Sequence, residues 1–203
     1  MKKFFLLTLL VAIATSVAAQ QQVQPRNAVV YHHEFSASAG LASTQDFVLT
    51  AAPTVTAILT MAGYNEDNFR YGGNYTLAYK YRFGKVASLG ATYSIGNLSS
   101  DIYALDMLWG KQRSVFHTLA VECDLRYLTR KAVTLYSTIG VGATIYARSA
   151  VENGGETEKI SVALPNAQLT LIGAKIGSHR AGGLVELGFG YKGIVNVGGY
   201  VRF

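Results

Sequence analysis

The carboxyl-terminal stretch from Ile194 to Phe203 most constrains the fold, because its apolar and polar residues alternate to the last residue. A period of two places alternate side chains on opposite faces of a strand. The stretch therefore predicts a β-strand with a different solvent on each side. One face carries Val195, Val197, Gly199, Val201 and Phe203, and the other carries Asn196, Gly198, Tyr200 and Arg202.

The same alternation recurs upstream over runs that are long for a soluble protein. Between Val133 and Ala147, one face carries Leu135, Ile139 and Val141, while the intervening residues are Thr, Tyr and Gly. A strand that crosses a membrane needs about 9–11 residues, whereas strands in soluble sheets usually have ~5–6. Eight strands are predicted in all, at roughly residues 29–41, 74–83, 87–95, 115–127, 133–147, 161–176, 185–190 and 194–203.

Composition agrees with many strands rather than helices. Hydrophobic residues make up 50% of the chain, which contains 21 Gly and 3 Pro. Beyond the amino terminus, no stretch is long and apolar enough for a membrane-spanning helix, which needs about 20 residues. Cys123 is the single cysteine, so an internal disulfide framework is excluded.

The amino terminus predicts export. Lys2 and Lys3 precede an apolar run, Phe4 to Ala14, that has the length of a signal peptide, and Val17-Ala18-Ala19 is a small-residue cleavage site. We therefore expect a signal peptide at residues 1–19 and one barrel domain at residues 20–203. Removing Lys2 and Lys3 lowers the formal charge from +6 to +4, and an exported chain with this mild excess is not expected to bind nucleic acid.

The predicted fold is all-β, an eight-stranded antiparallel up-and-down transmembrane β-barrel. The alternative is a soluble lipocalin-like barrel, in which the apolar faces would point inward. The membrane barrel is favoured because the apolar faces form long rows without charge. The polar faces are also rich in Gly, Ser and Thr, which are small enough to fill a narrow lumen.

Charged residues on the polar faces are predicted to project into this lumen. An unpaired buried charge costs several kcal/mol, and an eight-stranded barrel is only wide enough for its own side chains. Two interpretations remain open: an internal salt-bridge network that closes the lumen, or a narrow charged pore. The residues are Glu34, Lys80, Arg82, Glu122, Asp124, Arg126, Arg148, Glu186 and Arg202.

The connections between strands are predicted to alternate in length, as in outer-membrane barrels. Residues 84–85, 129–131 and 178–182 form short turns, whereas 43–69, 97–113 and 148–160 form long external loops. The last external connection, at 191–193, is tight. Pro165 suggests a bulge or a late start in the sixth strand.

The first external loop is predicted to contain a helical segment. Ser43 and Asp46 resemble a capping box, and apolar residues then recur at helical spacing from Val48, with Pro53 as a kink or a second start. No charge occurs between Phe47 and Tyr64. The segment either rests on the barrel rim or the outer leaflet, or folds into the mouth as a plug.

Three patterns that could indicate chemistry are weak. Adjacent residues His32 and His33 point to opposite faces, which suits a shared metal ion poorly. Outer-membrane lipid A deacylases carry a lipid-facing His with a Ser two residues later, but His117 is followed at that position by Leu119. Glu122 and Asp124 alternate on one strand and could suggest paired carboxylates, but without a recognisable substrate cleft they are interpreted as partners of Arg126, Arg82 and Lys80. We therefore expect no catalytic residue, cofactor or metal ion.

From Val29 to Phe203 the chain resembles the small eight-stranded outer-membrane barrels of OmpA/OmpX type, without a periplasmic domain. The resemblance implies an outer-membrane location among lipid and lipopolysaccharide. It also implies recognition of the terminal strand, through Val201 and Phe203, by the barrel assembly machinery. OmpX-like proteins extend their external hairpins as a sheet, whereas the longest loop here is predicted to be helical, which argues against adhesion through a strand edge.

The expected function is accordingly non-enzymatic: a structural or surface-interacting membrane barrel whose surface ligand the sequence does not identify. A small passive channel is the alternative, and a lipid-modifying enzyme is the third hypothesis.

Overall fold

The structure, a computed structural model, describes residues 31–47, 64–104, 107–130, 132–152 and 157–203. Eight antiparallel strands form a closed barrel in sequence order, and β8 pairs with β1. This confirms the predicted eight-stranded up-and-down architecture. The predicted signal peptide and the residues from Val48 to Ala62, which are predicted to be helical, lie outside the described residues. The strands are β1 (His33–Leu41), β2 (Tyr64–Arg82), β3 (Ala87–Ala104), β4 (Met107–Thr129), β5 (Val133–Glu152), β6 (Thr157–Gly177), β7 (Ala181–Gly190) and β8 (Val195–Arg202).

The two faces of each strand lie in different surroundings, and the alternation correctly predicts which face is on the outside. On β5, Val141 is 64% exposed on the outside, whereas Thr138 is fully buried in the lumen. Leu119 of β4 is likewise exposed outside, and its neighbour Thr118 is buried inside. Polar side chains therefore fill the interior, which is the reverse of a soluble lipocalin-like barrel.

An apolar belt surrounds the barrel. Large hydrophobic side chains such as Leu77, Val121 and Ile139 are exposed along its outer surface. A continuous apolar surface of this extent is stable in hydrocarbon and a liability in water. Within the described part of the chain, no helix is long and apolar enough to span a membrane.

The strands differ greatly in length, and this corrects the prediction of long external loops. β2 to β6 contain 18 to 23 residues each, whereas β1, β7 and β8 contain 8 to 10. We call the parts of β2 to β6 that extend beyond the paired ends of β1 and β7 the outer sheet. Its edges are residues 64–73 of β2 and 157–167 of β6, because β1 pairs with β2 only as far as Asn74 and β7 pairs with β6 only from Gln168.

Strands were missed there because the sequence signal changes outside the belt. In the outer sheet the buried inward residues of β3 include Leu98 and Ile102, while Ser99 and Asp101 lie outward, so the apolar–polar alternation that identifies membrane strands is reversed. Leu98 was predicted to lie in an external loop, but it belongs to β3 and is only 3% exposed. The β3–β4 and β5–β6 hairpins therefore extend beyond the belt as a sheet, and the expected contrast with OmpX-like proteins rests on the first external loop alone, most of which lies outside the described residues.

The start of the first external connection is helical, as predicted. Residues 44–47 form the described part of the helix. The Ser43 hydroxyl accepts a hydrogen bond from the Asp46 backbone nitrogen at 3.3 Å and so caps the helix, and the Asp46 carboxylate accepts in turn from the Ser43 backbone nitrogen at 2.8 Å. Gln45 reaches across the mouth, where its amide donates to Thr118 of β4 at 3.2 Å and Thr144 of β5 at 3.1 Å. The segment therefore begins inside the mouth rather than on the rim.

Candidate functional site

The lumen contains a network of ion pairs centred on Glu122 of β4. One of its carboxylate oxygens lies 2.8 Å from the ammonium groups of both Lys80 and Lys192. The other accepts a hydrogen bond from the Tyr191 hydroxyl at 2.7 Å. Glu122 is fully buried, so this charge is held entirely by the protein's own cations and donors.

Asp124 and Glu34 extend the network towards the inner end, where the β2–β3, β4–β5 and β6–β7 turns lie. Asp124 pairs with Lys80 at 2.6 Å and with Lys175 at 3.5 Å. Lys175 also pairs with Glu34, whose second oxygen lies 2.8 Å from Nε of Arg202. The cations thus bridge neighbouring carboxylates across the lumen.

Glu186 of β7 completes the network on the other wall. It accepts hydrogen bonds from Tyr136 and Asn196 at 2.7 Å each, and lies 3.4 Å from Lys192. Four carboxylates are therefore matched by four cations, so the network is electrically neutral. Its charged members are Glu34, Glu122, Asp124, Glu186, Lys80, Lys175, Lys192 and Arg202.

The β7–β8 turn folds into the lumen and closes it from the outer side. Tyr191 is fully buried and Lys192 is 3% exposed, although both belong to an external connection. Asn74 donates to the Tyr191 carbonyl, and the Lys192 backbone nitrogen donates to Gln168 at 2.9 Å. A methyl group added at Gly40 would lie 1.8 Å from the Lys192 carbonyl oxygen, so the glycine makes room for this turn.

The other predicted lumen residues are three arginines. Arg126 donates to the backbone carbonyls of Gly84 and Ala87 at 2.9 and 2.8 Å, and so holds the β2–β3 turn. Arg82 donates to the Tyr31 carbonyl at 3.4 Å. Arg148 is half-buried on the inner face of the outer sheet.

The outer sheet presents two surfaces. Its outward face carries a transverse row in which Arg70, Ser99, Arg113 and Ser149 are cross-strand neighbours on β2 to β5. Arg70 and Arg113, with Lys111 beside them, border a cavity of about 430 Å³. The β6 edge carries a second feature, an exposed apolar row on the inward face formed by Ile160, Val162 and Leu164.

Comparison with known proteins adds little to this geometry. No protein-family model matches the chain, and no curated protein matches it. Among solved structures, the chain is similar to Ail, the attachment invasion locus protein of Yersinia pestis, in complex with the heparin analogue sucrose octasulfate. Identity is 14%, the match covers 84% of this chain and 96% of that chain, and the TM-score is 0.38. A similarity at this level assigns neither a role nor a ligand.

Sequence reasoning missed Lys175 because of a bulge in β6. The register of β6 shifts at Leu171 and Ile172 against both neighbours, so that both of these side chains are exposed on the outside. Strict alternation would place Lys175 on the lipid-facing side, and the bulge turns it inward. The visible signal is the shift of apolar residues from odd to even positions. Pairing with β5 continues in register through Pro165, so the bulge predicted at Pro165 is wrong.

Sequence reasoning also missed Lys192. It was assigned to a tight external turn, where lysine is normally solvated. The turn is interior because the wall formed by β2 to β6 rises well beyond β7 and β8, and alternation within a strand carries no information about that difference.

In the described part of the chain, the histidines of the weak chemical patterns hydrogen-bond to neighbouring residues rather than to one another. His117 accepts or donates a hydrogen bond with the Tyr93 hydroxyl at 2.7 Å, and the two rings are stacked on the outer surface. His33 makes a similar contact with Tyr79 at 2.6 Å. Among the described residues, no group of three or more His, Cys, Asp or Glu side chains could hold a metal ion.

Proposed function

We propose that this chain is a non-enzymatic integral outer-membrane β-barrel that interacts with partners at the cell surface through its outer sheet. The observation that carries the proposal is the outer edge of β6, which lacks a second strand partner in the described part of the chain. Residues 157–167 have a strand partner on the β5 side and none from β7. A regular, unpaired strand edge is a ready template for an added strand.

Side chains along this edge favour an extended polypeptide as the partner. Val162 and Leu164 are 43% and 53% exposed, on the inward side where the low wall of β7, β8 and β1 leaves room. An added strand would bury this row while completing the backbone hydrogen bonds. The opposite edge is less suitable, because β2 changes register twice there, at Asn68 and Gly73, both of which have positive φ.

Adhesion of cells that express the chain tests this role. We expect adhesion to at least one member of a panel of immobilised extracellular proteins, and loss of that adhesion in Val162→Asp. Ser161→Asp is the matched control, because the same charge then lies on the opposite face of the same strand. Equal adhesion by both variants and the wild type, or no adhesion above cells lacking the chain, would overturn the proposal. Unheated gel mobility checks that each variant is folded.

The neutral network and the buried turn support a closed lumen rather than the alternative passive channel. Every carboxylate in the network is matched by a cation, and Tyr191 and Lys192 occupy the space above it. The ion-pair network, together with Arg148, is accordingly assigned a structural role. A lipid-modifying enzyme is disfavoured because His117 pairs with Tyr93, and Leu119 stands where a nucleophile would be needed.

Lipopolysaccharide is the proposed surrounding lipid on the outer side. Arg113 lies two residues beyond Val115, near the upper limit of the apolar belt, so the row containing Arg70 and Arg113 falls at headgroup height. A guanidinium group can donate two parallel hydrogen bonds to two oxygens of one phosphate. Arg70→Gln combined with Arg113→Gln should lower the amount of lipopolysaccharide that remains bound on purification, as measured by mass spectrometry. Unchanged retention would remove this contact.

We also propose which segments direct export and assembly. Residues 1–19 act as the signal peptide and 20–203 as the barrel domain. Val201 and Phe203 form the assembly signal. Both are exposed, and Phe203 exchanges backbone hydrogen bonds with His33 of β1 at 3.0 and 3.1 Å. Deleting Phe203 should reduce the folded outer-membrane fraction; normal assembly without it would contradict this assignment.

A further inference from the structure

The charges of this chain are distributed unequally between the two ends of the barrel. No Asp or Glu occurs between Leu125 and Val151, or between Leu187 and Phe203. The turns at the inner end are basic instead. Lys85 lies in the β2–β3 turn, Arg130 in the β4–β5 turn and Arg180 in the β6–β7 turn.

Three arginines, Arg82, Arg126 and Arg202, lie at the inner ends of β2, β4 and β8, around the inner mouth of the lumen. The charge of Arg202 disfavours the charges of both Arg82 and Arg126, and the charge of Arg82 disfavours that of Arg126. Glu34 is the carboxylate nearest to them, and its two oxygens are already taken by Lys175 and Arg202. Within the described residues, neither Arg82 nor Arg126 forms an ion pair.

Two of these arginines also have buried N–H groups that find no hydrogen-bond partner among the described residues. They are Nε of Arg82 and Nη2 of Arg202, and Arg202 is only 7% exposed. Buried donors are nearly always satisfied in folded proteins, and charged donors cost the most when they are not. Neighbouring contacts fix Arg202, which stacks on Tyr200 at 4.4 Å, and Arg126, which donates to three turn carbonyls.

The geometry points to an oxyanion site of the phosphate class at the inner mouth, formed by Arg82, Arg126 and Arg202. A tetrahedral oxyanion would accept from the unpaired donors and reduce the repulsion among three guanidinium groups. Lys85, Arg130 and Arg180 surround the mouth and would raise the local anion concentration. The source is either a free phosphate or the headgroup of an anionic phospholipid, whose chains would lie against the adjacent belt.

Calorimetric titration of inorganic pyrophosphate into the folded protein in uncharged maltoside micelles tests the free-phosphate source. All proteins should carry Arg70→Gln and Arg113→Gln, so that the outward cation row does not contribute. We expect Arg82→Gln to weaken binding at least tenfold and Arg82→Lys to retain most of it. Arg82 is the preferred position because its guanidinium makes one long hydrogen bond, so its loss should leave the fold intact.

Nanodiscs of mixed zwitterionic lipid and phosphatidylglycerol test the headgroup source, with native mass spectrometry of the retained lipid as the measurement. Retention of phosphatidylglycerol that falls in Arg82→Gln and in the triple variant Lys85→Gln, Arg130→Gln, Arg180→Gln would identify a headgroup. Pyrophosphate binding that depends on Arg82 alone would identify a free phosphate. The site does not exist if Arg82→Gln binds pyrophosphate as tightly as the protein with Arg82, and also retains as much phosphatidylglycerol.

Discussion

At the residue scale, a single carboxylate should hold the lumen network together. Glu122→Gln keeps the volume and removes the charge that Lys80 and Lys192 share at 2.8 Å. Leaving buried cations undercompensated costs roughly 3–5 kcal/mol. We therefore expect a loss of about 3 kcal/mol in the free energy of unfolding, measured by urea titration in micelles. Asp101→Asn, which changes a half-buried carboxylate of the outer sheet, should cost less than about 1 kcal/mol.

Substitutions at two exposed valines of β5 test which solvent surrounds the barrel. Val141 is 64% exposed in the middle of the belt, and Val151 is 50% exposed on the same strand in the outer sheet. In a membrane, Val141→Arg should lower stability by about 2–4 kcal/mol, and Val151→Arg by ~0–1. Folding titrations into lipid vesicles measure both. Similar costs at the two positions would mean that the belt does not face hydrocarbon.

At the scale of elements, the β7–β8 turn depends on the close approach of a neighbouring strand. Gly40→Ala would place a methyl group 1.8 Å from the Lys192 carbonyl oxygen, so the turn must move. Overpacking of this kind costs about 1–3 kcal/mol. Gly183→Ala is the control, because its methyl group would meet only the Gly198 carbonyl, at 3.7 Å. Thermal unfolding of the two variants should differ clearly, and equal midpoints would argue against a packed turn.

Elements inside the belt could be predicted from the sequence, and those outside it could not. Within the belt, hydrocarbon on one side and a polar lumen on the other impose a period of two, and Leu119, Val121, Glu122 and Asp124 fall where that period puts them. Beyond it, residues 97–104 reverse this pattern, with Leu98 and Ile102 buried on the inward face, so the rule for membrane strands does not identify them as a strand. The bulge in β6 changes which face its later residues occupy, so strict alternation assigns Lys175 to the wrong face.

Two of the network's four cations therefore escaped prediction for different physical reasons. The inward position of Lys175 could have been predicted, because the sequence shows the shift of apolar residues from odd to even positions at Leu171 and Ile172. Lys192 depends on the height difference between the two walls of the barrel, which is a tertiary property. The four carboxylates, by contrast, all lie on strands with clean alternation, so each could be placed in the lumen beforehand.

At the scale of the whole molecule, the neutral network and the buried turn act together as a closure. Gln45 adds contacts across the mouth to Thr118 and Thr144. No continuous water path is expected through a lumen of this width when side chains fill it. Correctly folded wild-type protein should therefore leave planar lipid bilayers electrically silent, and steady conductance would show that the lumen is open.

Removing one carboxylate and one cation should open this closure without creating net charge. Glu122→Ala combined with Lys192→Ala deletes the ion pair between β4 and the turn, which also frees the Tyr191 hydroxyl from its acceptor. We expect conductance to appear in bilayers, with unheated gel mobility confirming a folded barrel. Asp101→Ala combined with Arg113→Ala removes the same charges from the outer sheet and should stay silent. Silence of the lumen variant as well would mean that other side chains, such as Tyr136 and Asn196, are sufficient to close the barrel.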